Sequence, residues 1–310
     1  MTDIFSYRQA TMVLDDCLSW LPGRADRSIH AVVTDPPYGL VEYSSKQKAK
    51  LRSGRGGVWR IPPSYDGHQR SPLPRFTVLT KDDLEYLSVF FLNWARALRP
   101  KLVPGAHVLV ASNPLVSPFV SQALGEAGLD RRGEIVRLVM TMRGGDRPKG
   151  AHEEFDDVSV MPRAQWEPWL LYREPIEAKT VADNLRKWKT GGLRRISPDQ
   201  PFGDVIRSHP TGKIERNIAP HPSLKPQSFL RAVVRAMLPF GEGTVLDPFA
   251  GAGSTLAAAD AVGYESIGVE VDRLYFELAT HAVPLLAALP VLADPGSDRG
   301  GLEPLDQSAT

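Results

Sequence analysis

The chain has 310 residues, 42% hydrophobic and 24% charged, with a formal net charge of +1, which is the composition of a folded domain with a large core. Its single cysteine, Cys17, excludes a disulfide framework, and the absence of an 18-residue apolar run or a basic–apolar leader points to a cytoplasmic protein without a membrane span. The near-zero total hides two basic segments: residues 44–75 carry eight Lys and Arg against Asp66 alone, and residues 186–235 carry eleven against three acids, a pattern that fits a surface facing a polyanion or a solvated loop.

In chain order, residues 9–15 (QATMVLD) read as a short strand and DCLSWLP as a short helix ended by Pro22-Gly23. IHAVVT at 29–34 is a buried strand, closed by TDPPYGL at 34–40. Residues 44–75 have no period and read as a long loop. DDLEYLSVFFLNWARAL at 82–98 is an amphipathic helix, with Asp82 and Asp83 at its positive end and Pro100 stopping it. AHVLVAS at 106–112 is a second buried strand; Asn113-Pro114 reads as the cap of a helix that Gly128 ends. Strands follow at 134–141 and 166–173, and residues 174–220 show little apolar period. The pattern then sharpens into helix (225–238), strand (243–249), helix (251–262), strand (264–272) and helix (274–282), before a Gly, Pro, Asp and Ser-rich tail at 294–310. Alternation of this kind predicts an α/β fold, a doubly wound and mostly parallel sheet with its sites at the C-terminal ends of the strands.

Two turns carry chemistry. In DPFAGAGST (247–255), Gly251 and Gly253 permit a tight strand-to-helix turn whose N–H groups can approach a ligand, and Glu270, at the end of the next strand, can accept both hydroxyls of a ribose. In DPPY, the Asp35 carboxylate and the Pro36 carbonyl are two acceptors on a backbone stiffened by Pro36 and Pro37, and Tyr38 can stack on a ring. Two acceptors of this kind can draw on both N–H groups of a nucleobase amine, whose lone pair is otherwise delocalised, and localise it for attack. His152-Glu153-Glu154 lacks a second His at helical spacing and reads as loop, so no metal site is expected.

TDPPYG at 34–39, with LDPFAGAGST at 246–255, HPSLKP at 221–226 and DDCL at 15–18, resembles the S-adenosylmethionine-dependent DNA amino-methyltransferases. The tetrapeptide precedes the glycine turn, as in the permuted β class; Asp15 stands where Gly is usual in the Gly-Asp-Cys element. The resemblance covers 9–40 and 217–280. It implies a Rossmann-like methyltransferase fold, permuted, in which residues 9–15 supply from the N-terminus the strand missing after Glu270. It further implies one domain over 1–293: a catalytic half (about 9–173), an inserted target-recognition lobe (about 174–216), a cofactor half (about 217–288 with strand 9–15), and a disordered tail.

By the same resemblance Asp35, Pro36, Pro37 and Tyr38 hold the target base, Asp35 also bordering the cofactor. Asp247, Phe249, Gly251 and Gly253 contact the methionine end of S-adenosylmethionine and Glu270 its ribose. Asp16 accepts from its adenine amine, Cys17 lines that pocket, and His221 and Lys225 sit near its carboxylate. Ser254 and Thr255 cap the helix and reach the ligand. The partner is double-stranded DNA, its base flipped out, with a cognate restriction endonuclease and a homodimer as further expectations. RKWKTGGLRR supplies the DNA contacts Arg186, Lys187, Lys189, Arg194 and Arg195; Trp188 either wedges into the base stack or packs, and residues 41–80 close over bound DNA. Asp at the first motif position goes with adenine N6. Cytosine N4, an inactive DNA-binding relative, and an RNA or protein-glutamine methylase are the alternatives.

Overall fold

Residues 31–33, Ala-Val-Val, are completely buried yet belong to two different cores: Val32 packs on one side of the sheet, Ala31 and Val33 on the other. Successive strand side chains point to opposite faces, so an uninterrupted apolar run is what a strand covered on both sides requires. The computed structural model describes residues 3–37, 64–65, 68–69, 81–139, 147–148, 150–221 and 223–290. Tyr38, nearly all of the 41–80 segment and the 294–310 tail lie outside the described residues.

The strands are β1 (Ile4–Tyr7), β2 (Ala10–Leu14), β3 (Ile29–Thr34), the short pair β4 (Ser64–Tyr65) and β5 (His68–Gln69), β6 (Leu102–Ala111), β7 (Asp130–Leu138), β8 (Trp166–Arg173), β9 (Val205–Arg207), β10 (Thr244–Asp247) and β11 (Glu265–Glu270). The helices are α1 (Cys17–Trp20), α2 (Lys81–Leu98), α3 (Ser117–Glu126), α4 (Val181–Trp188), α5 (Lys213–Ile218), α6 (Gln227–Met237), α7 (Ser254–Ala261) and α8 (Arg273–Ala288). Among the described residues one nine-stranded sheet runs β1-β2-β11-β10-β3-β6-β8-β7-β9. All neighbours from β2 to β6 are parallel; β1 and β8 run against the rest. The N-terminal strand lies where the permuted topology puts it: β2 pairs with β11 in parallel, Ala10 opposite Ser266 and Leu14 opposite Glu270.

α2 buries Leu87, Phe91, Trp94, Ala95 and Leu98, a single stripe at helical spacing, against one face of the sheet. Each large side chain there contributes about 2 kcal/mol by leaving water. α6 covers the other face through Phe229, Leu230, Val233, Val234 and Met237. α7 is buried nearly all round, and its alanines let it wedge between α6, α8 and the sheet.

Three local readings change. Asn113 does not cap a helix: its Oδ1 accepts from the Leu115 N–H in a tight turn, and α3 starts only at Ser117. The strand expected at 134–141 is β7, which begins four residues earlier because it pairs along the whole of β8. Residues 174–220, without apolar period, nevertheless hold α4, β9 and α5. They are tied to the sheet by polar bonds instead: Asn184, fully buried, donates to the carbonyls of Pro104 and Thr190.

Candidate active site

The C-terminal ends of β2, β3, β10 and β11 form one rim. Thr34, the last residue of β3, donates its hydroxyl to Asp247 Oδ1 at 2.7 Å, which fastens the DPPY turn to the start of the glycine turn. Asp247 is buried; Thr255 and the Phe249 N–H also bond to it. Burial pushes its carboxyl up to about 6, against the opposing pull of these donors. Burial likewise raises Glu270, whose two oxygens accept the N–H groups of Gly251 and Asp272, both at 2.8 Å.

Gly251 sits at φ +51, where a side chain is strained, and a Cβ there would lie 3.2 Å from Nε2 of His221. Gly253, at φ +76, occupies the N-cap of α7. Ser254 and Thr255 therefore do not cap the helix as expected: Ser254 is its first residue, its carbonyl taken by Gln227 Nε2, and Thr255 turns inward to Asp247. Phe249 lies with its ring 5.7 Å from Trp94 and 5.9 Å from Phe90, so α2 supports the turn from beneath.

Asp16 is the N-cap of α1, its Oδ1 taking the N–H groups of Leu18 and Ser19. Cys17 beside it is buried, and burial, then Asp16, pushes its thiol up to about 12, which keeps it an inert, protonated packing group.

His221 and Lys225 come from the segment that crosses this rim between β9 and α6. The His221 Nδ1 accepts from the Ser223 N–H, and its ring packs edge-on at 4.5 Å from Tyr275. Burial lowers its pKa to about 4, so it is neutral near pH 7. Lys225 Nζ is bonded to the Asp35 carboxylate and lies 3.3 Å from Glu167 Oε1. Burial disfavours its charge, but Asp35 and Glu167 together outweigh burial and raise its pKa. Asp35 is half-buried, Pro36 buried and Pro37 exposed. Asp35, Pro36, His221, Lys225, Asp247, Phe249, Gly251, Gly253 and Glu270 are thus brought to one place, with Asp16 and Cys17 at the neighbouring strand end. Thr34, Glu167 and Arg137 were not picked out from the sequence. Thr34 adjoins the motif; Glu167 and Arg137 lie in strands that carry other charges, Asp130, Arg131, Arg132 and Glu134 on β7 and Arg173 on β8, so their burial shows only in the pairing of the two strands.

The five residues expected to contact DNA lie away from this rim. α4 packs at the N-terminal ends of β3 and β6, roughly 20 Å from Asp35 at about 3.3 Å per strand residue. There Lys187, Trp188 and Arg27 converge on Glu177, and Arg186 pairs with Asp183. Lys189 lies over the Phe240 ring, and Arg194 bonds the Tyr264 hydroxyl. Arg195 gives its carbonyl to Arg235. Trp188 packs against the core and gives its indole N–H to Glu177. Among the described residues, exposed basic side chains on the side of the catalytic rim include Arg207, at the end of β9, and Lys213 and Arg216 on α5. His152-Glu153-Glu154 falls in a run of exposed turns.

The relatives agree with this architecture. The chain is 22% identical to the Type II methyltransferase M.HindIII of Haemophilus influenzae over 280 residues, 82% of this chain and 88% of that protein. It is 40% identical to the DNA adenine methyltransferase YhdJ of Escherichia coli over 130 residues, 37% of this chain. Over YhdJ and other curated relatives matched at 29–40% identity, the chain spans only 32–43% of their length. The M1.HpyAVI structure, solved with S-adenosylmethionine, has the same fold: TM-score 0.54 at 16% identity, over 88% of this chain and 98% of that one.

S-Adenosylmethionine fits the residues present here. The cradle at Gly251 is one that a Cβ would close against His221, and the buried carboxylates Asp247 and Glu270 suit a cationic ligand with a ribose. No helix among the described residues is long and apolar enough to cross a membrane. Residues 29–281 match the family model described as DNA methylase, of the N6/N4 type, and the chain belongs to that family of S-adenosylmethionine-dependent DNA methyltransferases.

Proposed function

We propose that the protein methylates the exocyclic N6 of adenine in duplex DNA. One observation carries this reading: Asp35, on the strand end next to the glycine turn, is fastened to that turn through Thr34 and Asp247. When bound, S-adenosylmethionine supplies an activated sulfonium methyl. The chain's task is to present a nucleophile to it. The Asp35 carboxylate accepts one N–H of the amine and the Pro36 carbonyl the other, which pyramidalises the nitrogen. Pro36 and Pro37 bring no N–H that would compete, and the stiff turn keeps both acceptors in place, where an error of about 1 Å would cost about 100-fold in rate. After transfer, the Asp35 carboxylate is the acceptor nearest the proton that the nitrogen sheds. The target base reaches this rim only by leaving the duplex, at a cost of a few kcal/mol.

Asp at the head of the motif and the adenine named in YhdJ support N6 over cytosine N4. In this reading Asp247, Phe249, Gly251, Gly253 and Glu270 hold the cofactor, with Asp16 and Cys17 at its adenine. Arg207, Lys213 and Arg216 contact DNA phosphates in place of the α4 cluster, and a restriction endonuclease is the natural partner, as the relatives' Type II names suggest. Incubation with unmethylated genomic DNA and S-adenosylmethionine, then digestion to nucleosides, tests it. N6-methyldeoxyadenosine is expected; N4-methyldeoxycytidine would overturn the adenine assignment, and no methylated nucleoside would overturn the activity.

A further inference from the structure

Four charged side chains of alternating sign run inward from the catalytic turn: Asp35 at the end of β3, Lys225 before α6, Glu167 on β8 and Arg137 on β7. Their side chains are 16%, 11%, 14% and 5% exposed. Lys225 Nζ is bonded to Asp35 and lies 3.3 Å from Glu167 Oε1; Glu167 Oε2 takes Arg137 at 2.8 Å. Glu167 and Arg137 are direct cross-strand partners in the β7–β8 ladder. Arg137 is held in turn by the Ser208 hydroxyl and the His209 carbonyl, both at 3.0 Å, and lies over the Phe229 ring.

Buried ion pairs add little net stability over apolar packing of the same volume, so three of them in a row, linking four side chains, are not explained by folding. Their position relative to Asp35 offers a better reason. Lys225 occupies the carboxylate that the target amine needs. An ammonium held by Asp35 alone would compete with the weakly polar N–H of a base, and would win. Glu167 gives the same ammonium a second seat, already within ion-pair distance, so Lys225 can move off Asp35 without losing its counter-charge. Arg137 fixes that seat, its own fork satisfied on every side.

We propose that Glu167 is a positioning residue for methyl transfer: it draws Lys225 off Asp35 when the target amine arrives, and Arg137 holds it in place to do so. The inference rests on Asp35 being the acceptor for the target amine.

The test uses the full-length protein, tritiated S-adenosylmethionine and unmethylated genomic DNA fragments in single-turnover mode. Glu167→Gln keeps the shape and removes the charge. Its transfer rate is expected to fall 10- to 100-fold, with cofactor affinity within twofold of wild type. Glu167→Asp is expected to recover at least a third of the lost rate on a logarithmic scale. In a Lys225→Met background, adding Glu167→Gln is expected to change the rate less than twofold. A wild-type rate in Glu167→Gln would overturn the proposal. So would an equal loss with and without Lys225, or unfolding of both the Gln and the Asp variants, because either makes the network structural. If wild type itself transfers no methyl to DNA, the failure lies in the functional reading beneath; wild-type transfer with an indifferent Glu167→Gln places it in this inference alone.

Discussion

The two rims of the sheet both carry basic residues and hold them differently. At the N-terminal rim, most cations of α4 and its flank have a local partner: Glu177 takes Arg27, Lys187 and the Trp188 indole, Asp183 takes Arg186, Arg194 is spent on a tyrosine, and Lys189 lies over the Phe240 ring. At the C-terminal rim, Lys225 is buried and shared between two carboxylates, Asp35 and Glu167, with Arg207, Lys213 and Arg216 exposed on that side. A cluster of cations in a sequence therefore says nothing of direction. What separates the rims is the connectivity: strands that are parallel gather their outgoing turns on one side, and the chemistry follows.

Substitution within the catalytic rim should have the largest effect, and should split it in two. Asp35→Ala should reduce methyl transfer by about 1,000-fold or more, as loss of a directed polar partner in an enclosed site does, while cofactor binding measured by calorimetry survives. Gly251→Val should do the reverse. A β-branched residue at φ +51, with its Cβ 3.2 Å from His221, should weaken cofactor binding by about 100-fold, through strain on the order of 2–3 kcal/mol. Near-normal turnover in the first, or unchanged affinity in the second, would dissolve the division of labour between the two turns.

Much of that rim was legible beforehand, and for physical reasons. IHAVVT announces a doubly buried strand, DPPY cannot form ladder bonds or a helix, and GAG admits the positive φ that Gly251 and Gly253 show. The position of β2 followed from the resemblance to the permuted class, in which the N-terminus supplies the strand beyond β11. The rest was hidden because it depends on long-range polar pairing. β1 is a half-exposed IFSY whose Ile4 faces solvent, so no period marks it. α4 is placed by Asn184 reaching the Pro104 carbonyl, 80 residues away in sequence. Glu167 and Arg137 signal burial only once β7 and β8 are known to pair.

The comparison of rims is sharpened by paired double variants in a DNA-binding assay. Lys213→Ala with Arg216→Ala should weaken DNA binding by about 10- to 30-fold near physiological salt and lower the slope of log affinity against log salt by about 2, one per lost phosphate contact. Arg186→Ala with Lys187→Ala should leave both affinity and slope unchanged, since those cations answer Asp183 and Glu177. The reverse result would return DNA to the α4 face.

The smallest expected effect is one of pH, and it belongs to the C-terminal rim alone. Burial raises Asp247 to about 6, so in the empty site it takes up a proton as pH falls through that value. A cationic cofactor prefers the ionised carboxylate, so protons and cofactor compete, and affinity must fall on the acid side. For one such group the loss between pH 7 and pH 5 is about tenfold. Glu270, raised by burial as well, adds to the same sign; His221, lowered to about 4, stays neutral across the window and does not offset it. Calorimetry at pH 7, 6 and 5 measures the loss, and Asp247→Asn should flatten most of it. An affinity indifferent to pH in wild type would mean that the charge of the ligand is met elsewhere than at Asp247, and would move the cofactor's sulfonium end off the glycine turn.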